Sequence, residues 1–193
     1  METKQNIENG HEYVDLGLSV KWATCNVGAN KPEEYGEYFA WGETEPNKTY
    51  NEINYKFYIN MKYSKYNEHD IKTVLDLTDD AASVNWGGAW RMPTDAEWTE
   101  LRTKCNWTWT TINGINGFEV KGSNGNAIFL PAEGFRGGGR LYGAGVYGDY
   151  WSSSLYIEYP LYACGLGFDS DDVGRSYYFR YYGLSVRPVL SNY

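Results

Sequence analysis

The chain has 193 residues, with 25 Asp and Glu against 17 Lys and Arg, a net charge of −8, and 19 tyrosines beside 8 tryptophans. That length suits one domain with a buried core. An acidic balance with no Lys/Arg run argues against a nucleic-acid surface and against an anionic membrane, and no apolar stretch approaches the roughly 20 residues that a bilayer span needs.

The first residues, "METKQNIENG", lack the charged and apolar regions of a signal peptide. Residues 1–12 read as a polar tail and 13–193 as a single domain. "YVDLGLSVKWATCNVG" keeps Val14, Leu16, Leu18, Val20 and Trp22 in one register, which predicts a strand pair turning at Gly17. "YGEYFAWGE" predicts another strand, ending at Gly42. Residues 44–70 are polar and rich in Tyr and Asn without periodicity, which reads as an irregular surface loop. "LTDDAASVNWGG" predicts a short helix that stops at Gly87.

"RMPTDAEWTELRTKC" carries the clearest helix signal. Thr94 and Glu97 form a capping box, and Trp98, Leu101 and Cys105 follow on one stripe. "GFEVKGSNGNAIFLPA" predicts a hairpin turning at Asn124–Gly125. Gly137–Gly139 reads as a loop, and strands follow around "CGLGF" and "YYFRYYGLSVRPV". In the last of these, alternation would bury Tyr177, Phe179 and Tyr181 and turn Tyr178, Arg180 and Tyr182 outward.

Composition changes along the chain. Tyrosine is absent from residues 67–141, and Lys121 is the last lysine. The final third is rich in Tyr, Gly and Ser, the make-up of binding surfaces that use rigid amphipathic rings. Plain β-packing is the competing explanation for the tyrosines. Against it, ten of them between Tyr142 and Tyr182 exceed what one small core encloses with every hydroxyl bonded.

Three segments, "WGGAWRMPTDAEWTEL" (86–101), "YWSSS" (150–154) and "SVRPV" (185–189), together resemble the major paralogous domain family named from Fibrobacter succinogenes, abundant in gut Bacteroidetes. "RMPTDAEW" also looks like the "RLPTEAEWE" segment of formylglycine-generating-enzyme-type proteins. The resemblance spans about residues 13–189. It implies an α+β, C-type-lectin-like fold of short antiparallel strands, one or two helices and much loop.

Many members of this group look like variable proteins of diversity-generating retroelements. There an error-prone reverse transcriptase rewrites the 3′ end of the gene at template adenines, so that asparagine codons never become Lys, Glu, Gln, Met or Trp. Residues 159–184 contain none of those five types, which make up 37 of the 193 residues; chance absence is on the order of one in a few hundred. Glu158 would then be a fixed position.

On that reading the variable region covers about 150–189. Ala163, Leu166, Phe168, Val173, Val186 and Val189 form a core-facing frame, and the positions between them project to solvent. The candidate ligand-binding residues are Tyr156, Ile157, Tyr159, Tyr162, Gly165, Gly167, Asp169, Asp171, Asp172, Arg175, Tyr177, Tyr178, Arg180, Tyr182 and Leu184. The expected partner is a protein or glycan on a cell or phage surface, met outside the cell, on its surface or on a virion. Neither nucleic acid nor direct membrane insertion is expected.

No catalytic role is expected. The formylglycine-generating enzymes use a copper-binding cysteine pair near the C-terminus, whereas Cys164 stands alone in the final third. His11 and His69 are far apart, in the tail and the polar loop. Cys25, Cys105 and Cys164 fit no metal spacing, and a Cys25–Cys105 disulfide stays open. No cofactor is expected, with a structural calcium left open. Glu45–Asn47 matches the Glu-Pro-Asn of sugar-binding lectins, but it precedes the helix and lacks a Trp-Asn-Asp partner. "RGGGR" (136–140) lacks the Lys-Ser/Thr and helix of a phosphate loop. The alternative to a diversified surface is a fixed carbohydrate- or matrix-binding one.

Overall fold

The two ends of the chain meet in one sheet. The computed structural model describes residues 6–191. In chain order the strands are β1 (Ile7–Glu8), β2 (His11–Val14), β3 (Val20–Ala23), β4 (Tyr58–Ile59) and β5 (Lys62–Tyr63). Helix α1 (Ala81–Trp86), β6 (Trp90–Arg91) and helix α2 (Asp95–Lys104) follow, then β7 (Asn106–Ile112), β8 (Ile115–Lys121) and β9 (Ala127–Pro131). The last third holds β10 (Phe135–Gly137), β11 (Arg140–Tyr142), β12 (Gly148–Leu155), β13 (Tyr162–Phe168), β14 (Val173–Phe179) and β15 (Val189–Ser191). Sheets run in the orders β1-β2-β3-β15-β6, β7-β8-β9 and β12-β13-β14, with hairpins β4–β5 and β10–β11. The architecture is mostly antiparallel β with two helices, an α+β arrangement in the coarse sense.

Several elements follow from their local chemistry. Thr94 and Glu97 make the capping box of α2, and Arg91 holds both Glu97 oxygens at 2.6 and 2.8 Å. Asp80 caps α1 through the Ser83 amide and also takes the Met92 amide, which ties α1 to β6. In the β8–β9 hairpin Phe118 pairs with Leu130 and Val120 with Ile128 around the expected turn.

The three segments that carry the family resemblance meet in the interior. Ser153 donates its amide to Pro93 O at 2.7 Å, and the Trp98 indole donates to Trp151 O at 3.0 Å. The Trp151 amide reaches Ser185 O at 3.1 Å, while Val189 pairs with Arg91. These motifs are scaffold.

Four expectations need correction. Of the expected tail, residues 1–5 lie outside the described residues, but β1 and β2 are paired strands. The Trp90 indole holds Glu8 O at 2.9 Å, and His11 stacks on Trp86 with ring centroids 3.7 Å apart. Residues 35–43 form no strand: Phe39 makes one isolated bridge to Leu184, residues 41–42 turn, and Tyr38, Phe39 and Trp41 are buried in the core. Of the expected loop Gly137–Gly139, Gly137 instead ends β10 opposite Arg140, while Gly138 and Gly139 make the hairpin turn. The stretch 44–70 is no surface loop: Tyr50, Tyr55, Phe57 and Tyr66 are buried.

Arg180 explains that last correction. Expected to face outward, it is fully buried. Its guanidinium donates to Tyr55 Oη at 3.0 Å, to Tyr66 O and Pro160 O at 3.2 Å, and to Lys65 O at 2.9 Å. The rings of Tyr63 and Trp41 lie 4.4 and 5.0 Å from its carbon centre. A buried cation needs its donors satisfied, and the aromatic faces supply further negative potential. The alternation that sequence suggests for 177–182 fails because β14 ends at Phe179, and the following turn swings Arg180 inward. Removing it strands three carbonyls. Arg180→Ala should therefore lower unfolding free energy by about 3 kcal/mol or more, with Arg180→Lys recovering less than half. Urea denaturation checks this, and a loss under about 1 kcal/mol would contradict the role given to Arg180.

Candidate functional site

The site grows from the sheet β12-β13-β14. Its register puts Tyr178 opposite Ala163, Ser176 opposite Gly165 and Gly174 opposite Gly167 on one face. Tyr177 opposite Cys164 and Arg175 opposite Leu166 share the other face, toward α2.

On the first face Tyr178 lies across two glycines. A Cβ on Gly165 would stand 3.0 Å from the Tyr178 ring and 2.4 Å from Tyr150 O, and one on Gly167 would stand 2.7 Å from the Tyr178 hydroxyl. That hydroxyl donates to Asp149 Oδ1 at 2.5 Å. Gly165, Gly167 and Tyr178 are thus packing positions and not free ones, a correction shared by the buried Arg180 and Leu184. Leu184 is enclosed because its backbone pairs with Phe39. Gly165→Ala should cost about 2 kcal/mol or more by denaturation, since the Tyr150 carbonyl cannot move aside without breaking the β12–β13 pairing.

The exposed candidates gather elsewhere. In the β12–β13 connection Ile157 is 65% and Tyr159 58% exposed, and Tyr177 on β14 is 40% exposed. Tyr156 stacks on Tyr177 with centroids 4.0 Å apart, and Tyr159 lies 5.8 Å from Tyr156. Arg175 sits 5.0 Å above the Tyr177 ring and pairs with Asp95 at 2.8 Å. Tyr156, Ile157 and Arg175 border a 570 Å³ depression whose far wall includes Val74 and the start of α2.

Asp169, Asp171 and Asp172 form the β13–β14 turn, where Asp169 Oδ1 accepts the amides of Asp171 and Asp172 at 2.9 and 3.0 Å. Beside them lies a 290 Å³ cavity with Asp149 and Tyr178 in its lining. Tyr162 and Tyr182 belong to a third, half-buried cluster with Phe179 and Phe135. The candidates therefore do not share one continuous face. Val173, expected in the core, is half-buried at the edge of the β7–β9 side.

Sequence reasoning missed Asp149, Glu133 and Tyr147. Glu133 is fully buried, accepts the Asp149 amide at 2.9 Å, and leaves Oε2 without a partner among the described residues. Burial first, and then the Asp149 charge, push its carboxyl well above the usual range. Burial likewise raises Asp149 from 3.8 to about 6, partly offset by the Tyr178 hydroxyl. The available signal was an acid opening "DYWSSS", a segment otherwise apolar or small.

The cysteines are unpaired, so the Cys25–Cys105 bond is not formed. Burial pushes the Cys164 thiol up, away from the thiolate that nucleophilic chemistry needs. Asn47 binds the Glu43 carboxylate and so is not free as the lectin-type ligand its motif suggests. Among the described residues no three His, Cys, Asp or Glu side chains converge at metal-binding distance. No helix among them is long and apolar enough to cross a membrane. Compared with protein-family models, curated proteins and solved structures, the chain matches none.

The Asp149 carboxyl gives a pH prediction. Its native form holds a proton that the unfolded chain has released, so its stabilising effect is complete below about pH 4 and disappears as pH rises through 6. A shift of that size corresponds to about 3 kcal/mol. Asp149→Asn, which can still accept from Tyr178, should gain up to about 3 kcal/mol relative to wild type between pH 4 and pH 7 in urea unfolding. A pH-independent difference would show that Asp149 ionises normally.

Proposed function

We propose that this chain is a non-catalytic recognition domain of C-type-lectin-like architecture that binds a macromolecule outside the cell through the Tyr156–Tyr177 surface. One observation carries the reading. Tyr156, Ile157, Tyr159 and Tyr177 are clustered, partly or largely exposed and next to a wide depression, although each could have been buried or dispersed. Stacked tyrosines provide contact area at low entropic cost, and the adjacent Arg175 adds charge and donors, the composition of binding hot spots.

Supporting the fold part are the short antiparallel strands, the two helices, the long irregular segments, and the joint packing of all three resemblance segments. Supporting the non-catalytic part, His11 is stacked on Trp86, His69 stands in solvent beside Glu68, and the Cys164 thiol is held protonated. If a retroelement rewrites the C-terminal region, packing restricts tolerated change to Tyr156, Ile157, Tyr159, Asp169, Asp171, Asp172, Arg175 and Tyr177. A fixed carbohydrate-binding surface is the second reading, favoured by the same stacked rings, because sugars also pack on aromatic faces.

The test compares wild type with a Tyr156→Ala/Tyr159→Ala/Tyr177→Ala variant on arrays of bacterial and phage surface proteins and of glycans, with and without calcium. The variant should keep Tm within about 3 °C and lose at least about tenfold in binding. Unchanged binding, or a collapse in Tm, would refute the surface. Calcium-dependent glycan binding would replace protein recognition with the sugar reading.

A further inference from the structure

The cavity beside the β13–β14 turn has a charge imbalance that packing does not explain. Asp149, Asp169 and Asp172 all line it. Its one basic side chain, Arg175, is already engaged: Nε bonds Asp95 at 2.8 Å, Nη2 lies 3.4 Å from Cys164 Sγ, and the guanidinium covers Tyr177. Acidic residues around a turn are common and prove nothing alone. Asp149 is different. It is only 8% exposed, its Oδ1 is held by Tyr178, and its Oδ2 takes no hydrogen bond from any described residue. Oδ2 is the oxygen left to the cavity, so this mostly buried carboxylate has one oxygen bonded inside the protein and the other open to an incoming donor. The neighbouring Glu133 offers no relief, because it bonds the Asp149 amide and not its carboxylate.

The wall chemistry narrows what that partner is. At 290 Å³ the cavity is at the small end for a ligand site and suits one side chain better than several sugar rings. Tyr147 lines it, 47% exposed, with Val146, Tyr142 and Leu141 exposed nearby along the chain. Carboxylates beside an exposed aromatic ring favour a cation carried on an alkyl stem.

We propose that this cavity receives a lysine or arginine side chain of the partner protein, with Asp149 Oδ2 as its acceptor and Tyr147 beside it. The inference rests on the recognition reading above, and it places a second anchor across Arg175 from the tyrosine cluster. Asp169 and Asp172 supply longer-range attraction, and Ser176 a further acceptor. A charge-assisted bond to a desolvated carboxylate is among the stronger polar contacts and gives selectivity for basic residues.

Amide NMR of the full chain tests it, with Nα-acetyl-arginine methylamide and Nα-acetyl-lysine methylamide as probes and the norleucine analogue and methyl α-mannoside as controls. Saturable shifts are expected at Gly167, Gly174 and Ser176 with one or both cationic probes. They should weaken at least about fivefold in Asp149→Asn, whose amide spectrum should show an intact fold, and to a smaller degree in the exposed-site variant Asp172→Asn. Absence of saturable shifts, equal shifts in Asp149→Asn, or shifts with the mannoside in place of the cations would overturn the proposal. Array binding that still depends on Tyr156 and Tyr177 would then leave the recognition surface standing. Probe binding without any array binding would do the reverse.

Discussion

Arg180 is where two long, irregular parts of the chain become one body. The aromatic stretch 44–70 contains only a two-residue-stranded hairpin and a short 3₁₀ turn as regular structure, with local turns such as those closed by Asn51 and Asp70 between them. Into it is inserted a cation from the far end of the sequence, bonded to its carbonyls and surrounded by its rings. An ammonium would satisfy fewer of those acceptors, and an apolar side chain none. The stretch is therefore coupled to the end of β14, and through it to the sheet that carries the candidate surface. These contacts span sequence separations of 114 and 115 residues, so the coupling needs both parts of the chain.

A second constraint operates on the same sheet. Two glycines on β13 allow Tyr178 to lie flat against the backbone and bring its hydroxyl to Asp149. This strap holds β14, an edge strand, in place. Holding the edge strand fixes Tyr177 and Arg175 on the opposite face, since neighbours on a strand point in opposite directions. The surface tyrosines are thus positioned by a half-buried one. Rigidity matters for recognition by few residues, because an ordered ring loses little freedom on binding.

What could be read from the sequence was mostly local. The α2 capping box, the β8–β9 hairpin register and the core role of Ala163, Leu166 and Phe168 depend on neighbours within a few residues, and all appear as expected. The failures were non-local. Alternation assigned Arg180 outward because nothing nearby reveals that β14 stops one residue earlier or that rings from residues 41–66 wait to enclose the charge. Gly165 and Gly167 looked like variable positions because a missing side chain carries no sign of the ring that needs the space. His11 read as part of a polar tail because Trp86, its stacking partner, lies 75 residues away in sequence. The candidate surface was legible as a composition, a Tyr-rich segment, but its membership was set by which rings other elements had already claimed.

Those claims also limit what a diversified C-terminal region could be. A surface rewritten from one variant to the next must change residues without disturbing the parts that hold it. Here the two kinds of position are interleaved at single-residue spacing: Tyr177 is exposed while Tyr178 is strapped down, and Arg175 lies between two half-buried neighbours. Only an alternating strand allows that, because adjacent side chains have separate environments while sharing one backbone. Random change along the whole segment would repeatedly strike Gly165, Tyr178 or Arg180 and give unfolded products. Change confined to the exposed positions would leave the strap, the arginine cage and the frame intact. The acidic cavity straddles this division, with Asp149 and Tyr178 among the fixed positions and Asp169, Asp172 and Arg175 among those open to change. On the proposed reading, rewriting those positions would alter the charge around Asp149 while leaving the Asp149–Tyr178 contact itself in place.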